Sequence, residues 1–274
     1  MLRVATFNVN GIRASARRGF DLWLKDRDCD VVCLQEVRCP TEVLPLEAFG
    51  DYDLSYHSGV LAGRNGVAIL SRQRPLAVRH GFGNRVFDPE GRYVEVDLPA
   101  ADGRPGLTVG SLYLPKGDTP FRPEGVARYE RKLTFLASFA RYLTTARRTA
   151  QAAGREFVVM GDFNIAHTEL DLKNWRTNKK SCGFLPAERE WIGSILSPRT
   201  LVDVVRQLNP EEPGPYTWWS WRGNSFLDDT GWRIDYQLAT PGLAATAVAG
   251  GTDRDASYEA RMSDHSPVVV DYDL

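Results

Sequence analysis

The chain has 274 residues, 43% of them hydrophobic and 25% charged, values typical of a folded globular protein. Its formal net charge is −1 and its sequence pI about 6.4, so no overall basic field indicates nucleic-acid binding, and such binding would need local patches. No apolar stretch reaches the roughly 18 residues of a membrane span, and the N-terminus lacks the apolar core of a signal peptide.

In chain order, strand-like runs alternate only in part with helical patterns. Apolar, β-branched runs predict strands over Leu2–Val9, Val31–Gln35, Gly66–Ser71, Arg92–Leu98, Leu107–Leu114, Phe157–Gly161, Ile234–Thr240 and Pro267–Tyr272. Apolar residues at helical spacing predict helices over Ser15–Asp28, Val126–Ala150, Pro186–Leu196 and Leu201–Leu208. Because some strands follow each other directly, the order favours a sheet-rich, layered α/β or α+β domain over a doubly wound fold. No loop resembles a linker, so we expect a single domain over residues 1–274.

The four cysteines indicate a reducing environment. Cys29, Cys33, Cys39 and Cys182 form no C-x-x-C pair, and the histidines lie far from them in the sequence. This pattern favours neither a zinc site nor a disulfide framework. We therefore expect a cytoplasmic protein with no membrane partner.

Polar motifs lie at the ends of five of the strand-like runs. Phe157–Gly161 leads into Asp162 and Asn164, which strand alternation places on one face. The other four motifs contribute Asn8, the Gln35-Glu36 pair, Arg233 with Asp235 on a shared face, and Asp264 with His265. Any one of them is also consistent with a polar strand end whose groups pair locally, but five together favour one site.

The chemistry of this set is that of phosphoester hydrolysis. Carboxylate and amide oxygens without thiolates suit Mg²⁺ or Mn²⁺ rather than zinc. A hard cation, an imidazole and several amides are the groups that neutralise a phosphate, orient water and stabilise the transition state.

Two further patterns indicate contacts to DNA. The segment Asp171–Lys180 reads DLKNWRTNKK, and such basic and amide side chains contact phosphates without reading sequence. A second basic cluster is formed by Arg13, Arg17 and Arg18, and for both clusters a solvated surface is the alternative. The indoles of Trp218, Trp219, Trp221 and Trp232 either line a nucleotide pocket or pack in the core.

At these residues the sequence resembles the exonuclease III family of Mg²⁺-dependent abasic-site endonucleases, within the endonuclease/exonuclease/phosphatase superfamily. The match runs through nearly the whole chain and is most specific over Gly161–Glu188. Phosphatases and sphingomyelinases of the superfamily share the GD-x-N and SDH elements but lack the Asp171–Lys180 segment. The resemblance implies a four-layer α/β sandwich, two packed mixed β-sheets flanked by helices, with the site where strand ends meet.

The resemblance also implies roles for individual residues. Glu36 would be the principal metal ligand, and Asp162 would activate the attacking water or protonate the leaving oxygen. Asp235 would orient His265, which would contact the scissile phosphate, and Asn164 would stabilise the transition state. The remaining expected metal ligands are Asn8, Asp162, Asn164, Asp264 and His265, and Tyr113, otherwise a core aromatic, would lie against the phosphate or leaving group. The expected DNA contacts are Arg13, Asn174, Arg176, Asn178, Lys179, Lys180, Trp218 and Trp232, with Ile234 beside the indoles.

The sequence departs from the family pattern at three places. Asn10 replaces the Asp of some members, Lys116 stands where an amide is commoner, and the loop Gly117–Gly125 does not align clearly. The expected function is nevertheless Mg²⁺-dependent hydrolysis of the phosphodiester 5′ to abasic sites in duplex DNA. We expect 3′–5′ exonuclease and 3′-phosphatase or phosphodiesterase action as well, by a monomer acting on double-stranded DNA with abasic sites or 3′ ends. The alternatives are a phosphoesterase acting on lipid or inositol phosphates and a catalytically silent DNA-binding module.

Overall fold

The computed structural model describes residues 1–61, 63–101 and 103–274. Two six-stranded β-sheets form its centre. The first contains β1 (Leu2–Asn8), β2 (Val31–Gln35), β3 (Asp53–His57), β4 (Val67–Ser71), β11 (Ala247–Thr252) and β12 (Val268–Tyr272), in the order β11-β12-β1-β2-β4-β3. The second contains β5 (Ala77–His80), β6 (Tyr93–Leu98), β7 (Gly106–Tyr113), β8 (Arg155–Asp162), β9 (Val202–Asp203) and β10 (Asp235–Ala239), in the order β5-β6-β7-β8-β10-β9. Both sheets are mixed, because β1 pairs with β2 and β7 with β8 in parallel while the other pairs are antiparallel.

The sheets pack face to face, and helices cover their outer faces. Val4 and Ile69 of the first sheet and Val96 and Val158 of the second belong to one fully buried cluster. The helices are α1 (Ile12–Ala16), α2 (Phe20–Arg27), α3 (Pro123–Ala152), α4 (Pro186–Ile195), α5 (Val204–Leu208) and α6 (Pro241–Ala244). Aromatic side chains of α2 and α3 pack on the outer faces of the first and second sheet respectively. The four-layer sandwich is therefore confirmed, and none of the helices in the described ranges is long and apolar enough to cross a membrane.

The eight predicted strands are all present, and their bounds differ by a few residues. The predicted helix Ser15–Asp28 is wrong as one element, because α1 ends at Ala16 and α2 begins at Phe20, after Gly19 with φ 97°. Four strands, β3, β5, β9 and β11, and helix α6 were not predicted. β3, β5, β9 and β11 lie at sheet edges, where they are short or largely solvated and therefore lack an apolar run. All four cysteines carry free thiols, as the spacing predicts.

Strand pairing explains why the polar motifs meet. Because β1 and β2 are parallel, Asn8 lies beside Gln35 at their carboxyl ends, next to Glu36. In the other sheet Tyr113 at the end of β7 lies beside Asp162 at the end of the parallel strand β8. The antiparallel strand β10 begins there, so Asp235 pairs with Asp162. Packing of the two sheets then brings both sets of strand ends to one edge of the sandwich.

Candidate active site

A buried amide holds two carboxylates together at the centre of this edge. The Nδ2 atom of Asn8 donates hydrogen bonds to Oε1 of Glu36 and to Oδ2 of Asp162, both at 2.9 Å. Asn8 is fully buried, and its own Oδ1 accepts the backbone N–H of Asn10 at 3.0 Å. The amide partly offsets the repulsion between two buried anions that face the same cavity.

The turn after β8 aims Asp162 and Asn164 at the same space. A Cβ atom at Gly161 would collide with the backbone carbonyl of Leu112 in the neighbouring strand, so the close approach requires glycine. Asn164 adopts φ 49°, and its backbone N–H donates to Oδ1 of Asp162 at 2.8 Å. The Asn164 amide nitrogen also donates to Oδ2 of Asp162 at 3.1 Å, so both side chains lie on one face, as alternation predicts.

A carboxylate–imidazole pair lies beside these groups. His265 Nδ1 is 2.8 Å from Oδ2 of Asp235, which also accepts the Thr217 hydroxyl at 2.6 Å. The other ring nitrogen, Nε2, lies 3.8 Å from Oδ2 of Asp162. With Nδ1 engaged by Asp235, Nε2 is the nitrogen that faces the cavity.

The charges around this pair shift two pKa values in ways that suit proton transfer. Burial alone lowers the pKa of His265, but Asp235, Asp162 and Asp264 outweigh it and raise the pKa to about 10. Burial is the largest cause that raises the pKa of Asp162 to about 7; the negative charges of Asp235 and Glu36 raise it further, while the cationic His265 and the Asn164 backbone N–H lower it. The site therefore holds an imidazolium next to a carboxyl group that titrates near neutral pH.

The donor set fits a hard divalent cation. Ligand atoms of Glu36, Asp162 and His265 lie within 4.8 Å of one another. Two buried carboxylates that repel each other favour a bound cation, and their oxygens are the ligands that Mg²⁺ prefers. With its raised pKa, His265 keeps a proton on Nε2 while no metal is bound, and an imidazolium has no lone pair for a metal; in that state it is a hydrogen-bond donor to an anion.

Asp264 is held at the rim by two donors. Its Oδ1 accepts the Asn10 amide at 2.7 Å and its Oδ2 accepts Trp218 Nε1 at 3.1 Å. Burial by itself raises the pKa of Asp264, but His265 and these two hydrogen bonds lower it below the usual value. Asp264 is therefore an ionised carboxylate next to the imidazolium.

The cavity above these groups has a volume of about 400 Å³, and its lining includes the indoles of Trp218 and Trp232 and the basic side chains of Arg38 and Lys116. Trp218 and Trp232 meet edge to face, with ring centroids 6.4 Å apart. Of the expected residues, Glu36, Tyr113, Asp162, Asn164, Asp264 and His265 line it, as do Asn178, Trp218, Trp232 and Ile234. Asn8 and Asp235 lie buried behind the lining, where they contact Asp162 and His265.

The other expected DNA contacts lie on the surface outside the cavity. Asn174, Arg176, Lys179 and Lys180 are exposed, and Arg13 is exposed on α1. Two cationic groups lie over the ring of Trp175, with Arg176 Cζ 4.6 Å and Lys179 Nζ 4.8 Å from the ring centroid. The segment Asp171–Lys180 thus presents a basic surface next to Asn178, its one residue that lines the cavity.

The base of the basic segment is fixed by a buried ion network. Asp171 is fully buried and accepts hydrogen bonds from Arg233 Nε at 2.7 Å and from Arg206 at 2.6 Å. Arg233 also pairs with Asp203 at 2.7 Å, so its contacts differ from those of Asp235 although the two residues were expected to share a face. Arg233 precedes β10, where strand alternation does not yet apply.

Sequence reasoning missed several residues of the site. Arg38 forms an ion pair with Glu36 and donates to Asn10 Oδ1 at 2.6 Å. Thr217 positions Asp235 through its hydroxyl group. The only sequence feature that pointed to Thr217 was the adjacent Trp218. Lys132 and Glu188 are fully buried behind the cavity, although the helical pattern gives Lys132 a polar position.

Comparisons with known proteins support the family resemblance and the fold. A model of the Endonuclease/Exonuclease/phosphatase family matches residues 5–265. An exodeoxyribonuclease of Bacillus subtilis is 31% identical over 270 residues, which cover 98% of each chain. A solved AP endonuclease of Archaeoglobus fulgidus superposes with a TM-score of 0.85 at 30% identity, over 100% of both chains. A 3′ phosphatase from Neisseria, solved with a product DNA hairpin, gives 0.84 at 27% identity, also over 100% of both chains.

Proposed function

Because this chain belongs to the endonuclease/exonuclease/phosphatase family, we propose that it is a DNA repair nuclease that hydrolyses the phosphodiester 5′ to abasic sites in duplex DNA. We further propose 3′–5′ exonuclease and 3′-phosphatase or phosphodiesterase action at the same site. The observation that carries the proposal is the cluster of Glu36, Asp162 and His265 at the floor of a cavity flanked by indoles and a basic segment.

The carboxylates of Glu36 and Asp162 would hold Mg²⁺ or Mn²⁺, which supplies neutralisation of the phosphate charge. Asn8 supports both carboxylates, while Asn164 and Asp264 offer further oxygen atoms. The raised pKa of His265 suits the donation of its Nε2 proton to a phosphate oxygen rather than metal ligation.

Three side chains would carry the proton transfers and hold the reacting phosphate. Asp162 either takes the proton of the attacking water or returns one to the leaving oxygen; burial raises its pKa to about 7, and metal binding to the ionised carboxylate would lower that value. Burial, Glu36 and Asp162 raise the pKa of Tyr113 far above its usual value, so its hydroxyl stays protonated and donates to the phosphate or leaving group. The Asn164 amide adds a polar group beside the transition state.

The surroundings of the site favour DNA over other phosphoesters. The indoles of Trp218 and Trp232 with Ile234 form an apolar wall that suits a sugar lacking its base. The exposed basic surface next to it suits the phosphates of the flanking strand. Phosphoesterases acting on lipid or inositol phosphates are the second candidate, and the basic segment disfavours them. We propose that the chain acts in the cytoplasm as a monomer with one catalytic domain, on duplex DNA with abasic sites or 3′ ends.

The proposal is tested by incubating the protein with an end-labelled duplex that carries one tetrahydrofuran abasic analogue. With Mg²⁺ we expect a single cut immediately 5′ to the analogue, and with EDTA we expect none, because the paired carboxylates need a cation. The same duplex without the lesion is the matched control and should stay uncut at that position. No metal-dependent cut at the lesion, together with turnover of an inositol phosphate, would support the second candidate instead.

A Lys179→Ala protein should bind abasic duplex more weakly and depend less on salt. Binding weakens as salt concentration rises, and removal of one phosphate contact makes the negative slope of log K against log salt concentration less steep by about one unit. The measurement is fluorescence anisotropy in Ca²⁺ over a range of salt concentrations. Lys25→Ala removes the same charge from α2 and should leave the slope unchanged. Equal slopes for Lys179→Ala and the unsubstituted protein would exclude a phosphate contact at Lys179.

A further inference from the structure

A buried lysine lies directly behind the catalytic cavity. Lys132 of α3 has no exposed side-chain surface, and its ammonium group makes three contacts. Nζ lies 2.7 Å from Oε1 of Glu188, 2.9 Å from the carbonyl oxygen of Asn164 and 3.0 Å from that of Lys116. The three acceptors match the three N–H donors of an ammonium group, so the buried charge is fully hydrogen-bonded.

Its partner, Glu188 of α4, is hydrogen-bonded to another segment that lines the cavity. Glu188 is fully buried, and its Oε2 accepts the backbone N–H groups of Gly183 at 2.7 Å and Leu185 at 2.9 Å. Gly183 lines the cavity and follows the basic segment by three residues. The Lys132–Glu188 pair therefore joins the chain around Lys116, the turn at Asn164 and the end of the basic segment.

Two features tie this pair to the geometry of the site. Asn164 has φ 49°, a left-handed conformation that is uncommon outside glycine, although asparagine adopts it more readily than most residues. The backbone N–H bond to Asp162 and the Lys132 contact to the Asn164 carbonyl oxygen both hold the turn in this conformation. Gly117 packs so closely on Lys132 that a Cβ atom at Gly117 would lie 2.7 Å from Lys132 Cδ. The loop that carries Lys116 and Gly117 is therefore in close contact with the Lys132 side chain.

Stability alone does not account for an ion pair at this place. A buried pair is often replaced by apolar residues of similar size with no loss of stability, because the desolvation of two charges is costly. Here the pair lies behind three segments that line one cavity. Neither Lys132 nor Glu188 lines that cavity, so they act through their neighbours.

We propose that Lys132 and Glu188 are positioning residues for phosphodiester cleavage, which fix the Asn164 turn and the Lys116 loop relative to the metal-binding carboxylates. This inference rests on the proposed function of the same site. Loss of the pair should impair the chemical step more than DNA binding, because the basic surface outside the cavity remains intact.

The test replaces both charges at once in a Lys132→Met, Glu188→Leu protein. We expect a folded protein whose kcat on abasic duplex is 10- to 100-fold lower and whose KM changes less than threefold. Because the pair acts on the Asn164 turn as well as on the Lys116 loop, the same double change in an Asn164→Ala background should lower kcat by a smaller factor than in the unsubstituted protein. Additive losses in the two backgrounds, or an unchanged kcat in the folded double variant, would overturn the proposal.

Glu188→Gln is the milder variant in case the double change unfolds the protein. Its amide oxygen still accepts a backbone N–H, while the ion pair is lost, so kcat should again fall more than KM rises. The matched control is Trp191→Phe, which removes the 2.8 Å hydrogen bond from α4 to the Leu136 carbonyl of α3 but leaves the pair in place. Trp191→Phe should keep the kcat of the unsubstituted protein. A loss of kcat equal to that of Glu188→Gln would mean that the ion pair only supports the packing of α4 on α3.

A second measurement needs no turnover. The side-chain amide signals of Asn164 in a two-dimensional ¹⁵N spectrum, assigned by their loss in Asn164→Ala, should shift in the Lys132 and Glu188 variants but not in Trp191→Phe. If the unsubstituted protein fails to cut abasic duplex, the proposed function fails and this spectrum still tests the pair. Unmoved Asn164 signals in the variants would refute the positioning role even if the enzyme is active.

Discussion

An Asp162→Asn protein is expected to cut abasic duplex roughly 10²–10⁴-fold more slowly than the unsubstituted protein, the range associated with a lost general acid or base. Asparagine keeps the size of the side chain, but it neither takes nor gives a proton and offers a metal one charge fewer. Single-turnover cleavage in Mg²⁺ measures the loss. Binding measured by anisotropy in Ca²⁺ should stay within about threefold, because the basic surface lies outside the cavity.

Asp255→Asn is the matched control for this prediction. Burial raises the pKa of Asp255 to about 6, so it is another carboxyl group with a raised pKa, but it does not line the cavity. Its substitution should leave cleavage close to normal. A near-normal rate for Asp162→Asn, or equal losses in both variants, would contradict a direct role for Asp162 in proton transfer.

The sequence predicts the interior of this fold better than its edges. Buried strands such as Phe157–Gly161 carry uninterrupted apolar runs, and each predicted run corresponds to a strand. The edge strand Ala77–His80 alternates between partly buried and exposed residues over only four positions, too short a signal to separate from a loop. Gly19 also lies inside an apolar helical pattern, which hides the break between α1 and α2.

The candidate site is predictable as a set of residues but not as a geometry. Asp162 and Asn164 follow from period-two alternation, and the structure joins them by hydrogen bonds. Contact between Asp162 and Asn8 depends on which strand ends the two sheets bring together, and local spacing contains no such information. The roles assigned to these residues remain predictions.

The burial of Lys132 could not be predicted from the sequence pattern. Along α3 it stands among other basic residues between the apolar positions, which predicts a solvated side chain. The structure buries it completely, because the Glu188 carboxylate and two backbone carbonyls meet it at the interface between α3 and α4. A charged residue with distant partners in the sequence gives no local signal of burial.

The largest pH effect is expected from Asp235→Asn. In the unsubstituted protein the acid limb of kcat/KM should reflect Asp162, whose pKa of about 7 falls when a metal binds its ionised form. The alkaline limb should reflect His265: burial lowers its pKa, but the carboxylates, with Asp235 the largest contributor, raise the pKa to about 10. Asparagine at residue 235 still accepts a hydrogen bond from Nδ1 but removes that negative charge.

The alkaline limb of Asp235→Asn should therefore move down toward the ordinary histidine value of about 6.5. The loss of activity should grow as pH rises from 6.5 to 9, and at the upper end we expect about 10²-fold or more. Cleavage of abasic duplex at saturating Mg²⁺ across this range gives the pH profile.

The control variant is Thr217→Val, which removes the 2.6 Å hydrogen bond to Asp235 but keeps the charge of Asp235. It should retain an alkaline limb close to that of the unsubstituted protein. If Asp235→Asn keeps the original alkaline limb, His265 is not the group that titrates there. The imidazolium would then have no part in holding the scissile phosphate, and Tyr113 would become the donor to test next.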